Sequence, residues 1–173
     1  MRLLKEIYRK DNLNLSGRTI CREAVRGIIR QGNTLLMVYS SEVGDYKFPG
    51  GGINAGETRE EALVREIREE CGAEVTGIRS EFGKVIEYDK PREEEYDVFK
   101  MTSYYYFCDA GPVLGEQDLD DYEEKLGFRP VWVDIDTAIE ANKAVIGTQK
   151  HEAPRWTRRE LFVLELLKKE FDR

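Results

Sequence analysis

A helix of defined length can be read from residues 58 to 72, and its polar face limits the folds open to this chain more than any other feature. Thr58 and Glu61 stand three apart as a capping box, so a helix is predicted to start at Arg59, run to about Cys71 and stop at Gly72, the usual left-handed cap. At about 100° per residue, Glu66, Glu69 and Glu70 fall in one sector, while Leu63, Val64, Ile67 and Cys71 occupy another. One face is apolar and the other is a cluster of carboxylates. Like charges at these spacings cost about 0.2–0.5 kcal/mol per exposed pair, and two unit charges 4 Å apart at a partly buried site repel by about 4 kcal/mol. Such a face gains only if a cation sits among the carboxylates. An all-oxygen cluster without His or Cys suits a hard ion, Mg²⁺ first and Mn²⁺ second. An ordinary charge-laced surface helix would account for Glu60, Glu61 and Arg68, but not for the glycines around it.

Those glycines lie just upstream, in Lys47-Phe48-Pro49-Gly50-Gly51-Gly52, where the backbone must come close to something bulky or charged. Directly ahead of the carboxylate helix, that reading outweighs an ordinary Pro-Gly turn. After Gly51, five residues lead to Glu57, and seven more lead to Arg65-Glu66-Ile67-Arg68-Glu69-Glu70-Cys71-Gly72-Ala73. The segment resembles the signature of the Nudix hydrolases: Gly, five residues, Glu, seven residues, then Arg-Glu-apolar-any-Glu-Glu-any-Gly-apolar. Every polar position is filled, and only Ala73 is smaller than the usual Ile, Leu or Val. Chance would produce such a match in roughly one chain of this composition in 10⁵.

The resemblance implies an α/β/α sandwich with a mixed sheet, carried by residues from about Ile20 to Asp136. It implies a hydrolase that cleaves the pyrophosphate linkage of a nucleoside diphosphate derivative by attack of water on phosphorus. Glu66, Glu69 and Glu70 would hold the metal with the Gly50 carbonyl, and any of the three could double as the base. Arg65 would pair with Glu57 to brace the loop against the helix, a structural role. Arg22, Arg26 and Lys47 are candidate phosphate contacts, although Arg22 and Arg26 serve equally as outward strand positions. Related enzymes often recruit another acid from a loop past the motif. Glu123 and Glu124 are best placed for that, with Glu94 and Glu95 next, and for each a solvated loop carboxylate is the simpler reading. Subgroups of the family are told apart by a Pro or a Tyr some fifteen to eighteen residues past the motif. Here Tyr88 lies fifteen and Pro91 eighteen beyond Ala73, which leaves the substrate open. A Nudix-fold module that binds a nucleotide without cleaving it is a second reading, but such proteins typically lose motif glutamates and this chain keeps them all.

A chain of 173 residues, 40% of them hydrophobic, is expected to form one domain with a sizeable core. Its net charge of −7 argues against a protein that holds long nucleic acid by its phosphates. A small nucleotide remains a suitable partner if divalent ions bridge the two sets of anions. Cys21, Cys71 and Cys108 form neither a paired framework nor a metal spacing. With no signal peptide and no long apolar run, a cytoplasmic protein that makes no use of a membrane is expected. The single histidine, His151, reads as a loop residue and excludes His-based zinc or triad chemistry.

Along the chain, Ala24 to Ile29 and Thr34 to Tyr39 read as a hairpin about Gln31-Gly32-Asn33. Strands are expected over Glu74 to Tyr88, Val98 to Cys108 and Phe128 to Asp134, and an acidic loop over Gly111 to Gly127. Tyr104, Tyr105, Tyr106 and Phe107 read as core in preference to a base-stacking platform. A short helix is expected over Thr137 to Ala144, and an amphipathic one over Thr157 to Phe171 with a second capping box, Thr157 to Glu160. Met1 to Thr19 and the last helix lie outside the motif, as trimming of the fold or as homodimer contacts.

Overall fold

The computed structural model describes residues 1–148 and 153–172, so His151 lies outside the described residues. The capped helix forms as its sequence dictates. Helix α1 spans Arg59–Cys71, the Thr58 hydroxyl accepts from the Glu61 amide, the Glu61 carboxylate accepts from the Thr58 amide, and Gly72 ends the helix at φ 62°. The other elements are β1 (Leu3–Tyr8), β2 (Thr19–Gln31), β3 (Thr34–Ser40), β4 (Asp45–Lys47), β5 (Ala73–Asp89), β6 (Val98–Leu114), α2 (Asp121–Lys125), β7 (Phe128–Asp134), α3 (Ile135–Thr148) and α4 (Arg155–Phe171). The sheet is mixed, in the order β1-β5-β6-β2-β3-β4 with β7 beside β3. Strand β1 runs parallel to β5 and β2 parallel to β6, while the other pairs are antiparallel.

Successive strand residues point to opposite faces, and this period builds the expected three layers. On β3, Leu35 and Met37 enter one core and Leu36 and Val38 the other; on β6, Tyr105 divides in the same way from Tyr104 and Tyr106. Helix α1 closes one core with Ala62, Leu63, Ile67 and Cys71. Helices α3 and α4 close the other with Ala138, Ile139, Val163, Leu164 and Leu167. Burying each Leu, Ile or Val among these contributes about 1.5–3 kcal/mol.

Several expectations are corrected by this packing. The hairpin pairs only at its tip, Arg30 with Leu35 and Gln31 with Thr34; beyond it β2 joins β6 and β3 joins β7. Strand β6 continues to Leu114, and Asp120 caps the short α2, so the stretch from Gly111 to Gly127 is not all loop. Thr157 does not cap α4, which begins at Arg155. Its hydroxyl donates instead to Asp45 at 2.6 Å, and Glu160 is buried beside Arg159. Val64 is 42% exposed, and the buried place on α1 goes to Glu70. Seven residues turn a helix almost full circle, so Glu70 stands only about 20° from Leu63 on the core stripe. At the N-terminus β1 pairs along β5, and Tyr8 stacks on Tyr88 with ring centroids 5.0 Å apart.

Strand β4 lies at the sheet edge, where its backbone would lack partners. Asn142 of α3 supplies both: its carbonyl oxygen accepts from the Tyr46 amide at 2.8 Å, and its amide donates to the Tyr46 carbonyl at 2.9 Å. This clamp fixes the strand that ends in Lys47.

Candidate active site

The glycine run lies along β2. The Gly27 amide donates to the Pro49 carbonyl at 2.8 Å, and the Val25 amide donates to the Gly51 carbonyl at 3.0 Å. Gly50 has φ 138°, and a Cβ there would sit 2.1 Å from the Val25 carbonyl oxygen, so the close approach requires glycine. The turn aims the Gly50 amide at Glu70 Oε2, 2.8 Å away, and Lys47 Nζ donates to Glu70 Oε1 at 2.5 Å. Glu70 is 1% exposed, so both oxygens of a buried carboxylate are bound by the loop it faces.

Arg65 gathers the other carboxylates. Its Nε and Nη2 donate to the two oxygens of Glu57, each at 2.8 Å, and Nη2 also reaches the Gly52 carbonyl at 2.9 Å. Its Nη1 donates to Glu66 at 2.7 Å and to Glu69 at 3.2 Å. The fork on Glu57 joins loop to helix in the two-bond geometry that makes Arg–carboxylate pairs strong. Hydrogen bonds from Arg65, then from the Asn54 amide, hold the Glu57 carboxyl down to about 2. Burial pushes the Glu66 carboxyl up against the pull of Arg65.

Of the candidate extra acids, Glu123 is brought to the cluster. Its carboxyl is pushed up to about 7, by burial first and by the Glu70 charge second. Glu124 is exposed on α2, and Glu94 and Glu95 are exposed in the loop between β5 and β6.

A cavity of about 230 Å³ opens beside this cluster, with Arg26 and Lys47 in its wall. Arg26 is 8% exposed, and among the described residues its Nε and Nη1 have no hydrogen-bond partner. Its charge is felt by Glu66. The rest of the wall comes from segments outside the motif: Arg9 beyond β1, Glu87 and Asp89 of β5, and Arg155, Trp156 and Arg159 of α4. Arg9 and Arg159 flank Glu87, with Arg159 Nη1 2.7 Å from Glu87 Oε2. Burial alone would raise the Glu87 carboxyl, but these two cations more than offset it and hold it below its ordinary value. Trp156 Nε1 donates to Asp45 at 2.8 Å, which ties the start of α4 to β4. The sequence offered no period or motif for this wall; only alternation on β5 hinted that Glu87 and Asp89 share a face. Arg22 is exposed and lines a neighbouring cavity, not this one.

The donor chemistry fits a hard divalent ion, since Glu66, Glu69, Glu70 and Glu123 offer only carboxylate oxygens. Two carboxylates that raise one another's affinity for a proton, as Glu70 does for Glu123, form a place where a cation relieves repulsion. Among the described residues, no three acidic, His or Cys groups are gathered around one point. Arg65 and Lys47 hold the glutamates instead, so a cation entering the cluster must compete with them.

The model of the NUDIX domain matches residues 22–156. The RNA pyrophosphohydrolase of a Nitratiruptor species is 37% identical over 87 residues, covering 48% of this chain and 56% of that protein. The ADP-ribose pyrophosphatase of Methanocaldococcus jannaschii is 46% identical over 52 residues, covering 28% of this chain and 31% of that protein. The chain thus spans little more than half of the first relative's length and less than a third of the second's. A MutT NUDIX hydrolase from Burkholderia pseudomallei shares the fold, with a TM-score of 0.51 and 20% identity over 68% of this chain and 85% of that one.

Proposed function

This chain belongs to the Nudix family, and from that premise we propose that it is a metal-dependent hydrolase that cleaves the pyrophosphate linkage of a nucleoside diphosphate derivative by attack of water on phosphorus. The observation that carries the reading is the complete set of motif carboxylates beside a cavity walled by the buried Arg26, whose Nε and Nη1 have no hydrogen-bond partner among the described residues. Buried donors without acceptors are costly, and a phosphate supplies acceptors. The names of the relatives, RNA pyrophosphohydrolase and ADP-ribose pyrophosphatase, agree on the bond cleaved.

In this reading Glu66, Glu69 and Glu70, with the Gly50 carbonyl, would hold Mg²⁺ or Mn²⁺, and Glu123 would add a fourth carboxylate. A bound divalent ion would supply charge neutralisation at phosphate and a lowered pKa of water. Arg26 Nε and Nη1 donate to non-bridging phosphate oxygens, and Lys47 adds charge where the cavity meets the cluster. One of the motif carboxylates Glu66, Glu69 and Glu70 would take the proton of the attacking water. Arg65 and Glu57 keep loop and helix in register. Free Cys21, Cys71 and Cys108 are in keeping with a reducing cytosol. Among the described residues no helix is long and apolar enough to cross a membrane.

The test is incubation with a library of nucleoside polyphosphates and nucleotide sugars in Mg²⁺ or Mn²⁺, followed by mass spectrometry. A nucleoside monophosphate or free phosphate is expected, and EDTA should abolish its formation reversibly. A ligand retained intact, with no product from any compound, would support a non-catalytic binding module.

A further inference from the structure

Helix α4 begins without a cap of its own. Pro154 makes no side-chain hydrogen bond there, and the first turn carries no acidic residue. An anion near a helix N-terminus is favourable, because the first amides and the aligned peptide dipoles present positive charge. Asp45, the first residue of β4, supplies that anion from another element. Its carboxylate is 1% exposed, and Oδ2 accepts from Trp156 Nε1 at 2.8 Å and from the Thr157 hydroxyl at 2.6 Å. Trp156, Phe99 and Met101 are the apolar side chains of the cavity wall. Since the indole N–H is already bound, Trp156 can meet a ligand only with its ring. That ring stands nearly perpendicular to Phe128, at 83° with centroids 6.2 Å apart, and the Lys47 ammonium lies 4.5 Å from the centroid of the same Phe128 ring. Lys47 shares β4 with Asp45 and holds Glu70. Asp45, Trp156, Phe128 and Lys47 thus close a circuit between the start of α4 and the carboxylate cluster.

We propose that Trp156 contacts the base of the nucleotide and that Asp45 is the positioning residue that sets its ring. The proposal rests on the reading of this cavity as a nucleotide site, given above, and assigns the end of the ligand remote from the reacting phosphates. The torsion that turns an indole about its Cβ–Cγ bond is broad, so packing alone leaves the ring some latitude, and a hydrogen bond to Nε1 selects one orientation. The second bond, from Thr157, pins the helix turn that carries the ring. Asp45 is too deeply buried to touch a ligand in the cavity and acts through Trp156. Its other oxygen, Oδ1, has no hydrogen-bond partner among the described residues, a cost the fold bears at this one junction. Stacking on a ring face is tolerant of base identity, so the contact favours nucleotides as a class over phosphates that lack a base.

The experiment uses the full chain with Trp132→Phe, which leaves Trp156 as its one tryptophan. Its fluorescence is titrated in Mg²⁺ with α,β-methylene-ADP, whose P–C–P bridge resists hydrolysis, and with methylenediphosphonate and ribose 5-phosphate, which lack the base. The nucleotide is expected to quench the emission, and the other two are not. In calorimetric titrations Trp156→Ala should weaken the nucleotide about tenfold, toward the low end for a stacked base, and leave methylenediphosphonate unchanged. Asp45→Ala should cost about as much, and the double variant no more than Trp156→Ala alone, since Asp45 acts through the ring. Asp45→Asn, which retains an acceptor for Nε1, should restore most of the affinity. Should Asp45→Ala not fold, Asp45→Ser takes its place in the cycle, its hydroxyl being too short to reach the indole. Absence of quenching by the nucleotide, quenching by either compound without a base, equal losses for nucleotide and methylenediphosphonate, or additive losses in the double variant would overturn the proposal. The same binding pattern without turnover of any compound would uphold it and sink the hydrolase reading instead.

Discussion

Glu70 accepts from the Lys47 ammonium on one oxygen and from the Gly50 amide on the other, so the most buried carboxylate of the cluster is held by the strand end and the loop together. Removing one partner of such a pair leaves a charge that neither water nor protein compensates. Lys47→Met is expected to destabilise the fold by about 3 kcal/mol, the low end for a broken buried pair. Adding Glu70→Gln should recover most of the loss, because the uncompensated charge is then gone. Urea unfolding of the two variants is the measurement, and additive losses would contradict it.

Arg26 presents the opposite case, a buried cation whose Nε and Nη1 have no hydrogen-bond partner among the described residues. Arg26→Met removes a desolvated charge while keeping much of the apolar stem, so the melting temperature should hold or rise. Substrate binding should weaken by the worth of a charge-assisted hydrogen bond, about 1.5–3 kcal/mol or about 10–100-fold in KM. A stability loss with KM unchanged would assign Arg26 to the fold.

The Glu57 carboxyl, held down to about 2 by Arg65 and by the Asn54 amide, ties loop to helix in a pH-dependent way. The folded protein binds fewer protons there than the unfolded chain. The stabilising contribution is therefore complete above the ordinary value of 4.5 and is lost as pH falls from there through about 2. The difference in melting temperature between the native protein and Glu57→Gln should shrink over that interval. A difference that stays constant down to pH 2 would show that the Arg65 fork does not set it.

Glu123 is raised to about 7 by burial and then by Glu70, so the cation-free folded protein keeps a proton that the unfolded chain loses near its ordinary value of 4.5. Its contribution is thus present below that value and lost as pH rises through about 7. A divalent ion bound at this pair must displace the proton. Calorimetry of Mn²⁺ binding at pH 6, in two buffers of different ionisation enthalpy, should show about one proton released by the native protein and none by Glu123→Gln. Equal release would place the ion elsewhere.

Legibility in the sequence followed the range of the interactions. The capping box and the Gly72 stop are local to the helix, and helix periodicity suffices to place them, while the fork from Arg65 to Glu57 was what the family resemblance implied. The apolar run Leu35 to Val38 marked a strand, while its burial on both faces became visible only in the packed sheet. The partner of β2 was not legible, since local pattern favours the adjacent hairpin strand while the extensive pairing is with β6, some eighty residues on. For the same reason Glu70 was grouped with its charged neighbours although its angle lies next to Leu63.

The sequence by itself determined the helix, its caps and the chemistry of its carboxylates, because each follows from periods and spacings within one element, while the three-layer architecture came from the family resemblance of the motif. Tertiary structure alone decided which carboxylate is buried, that Glu123 and not Glu124 meets Glu70, and that Arg9, Glu87 and the start of α4 wall the cavity. Those contacts join residues far apart in the chain, and no local preference encodes them. They are set by which strands pair and which helix covers the sheet, and they leave Nε and Nη1 of Arg26, in the cavity wall, without a hydrogen-bond partner among the described residues.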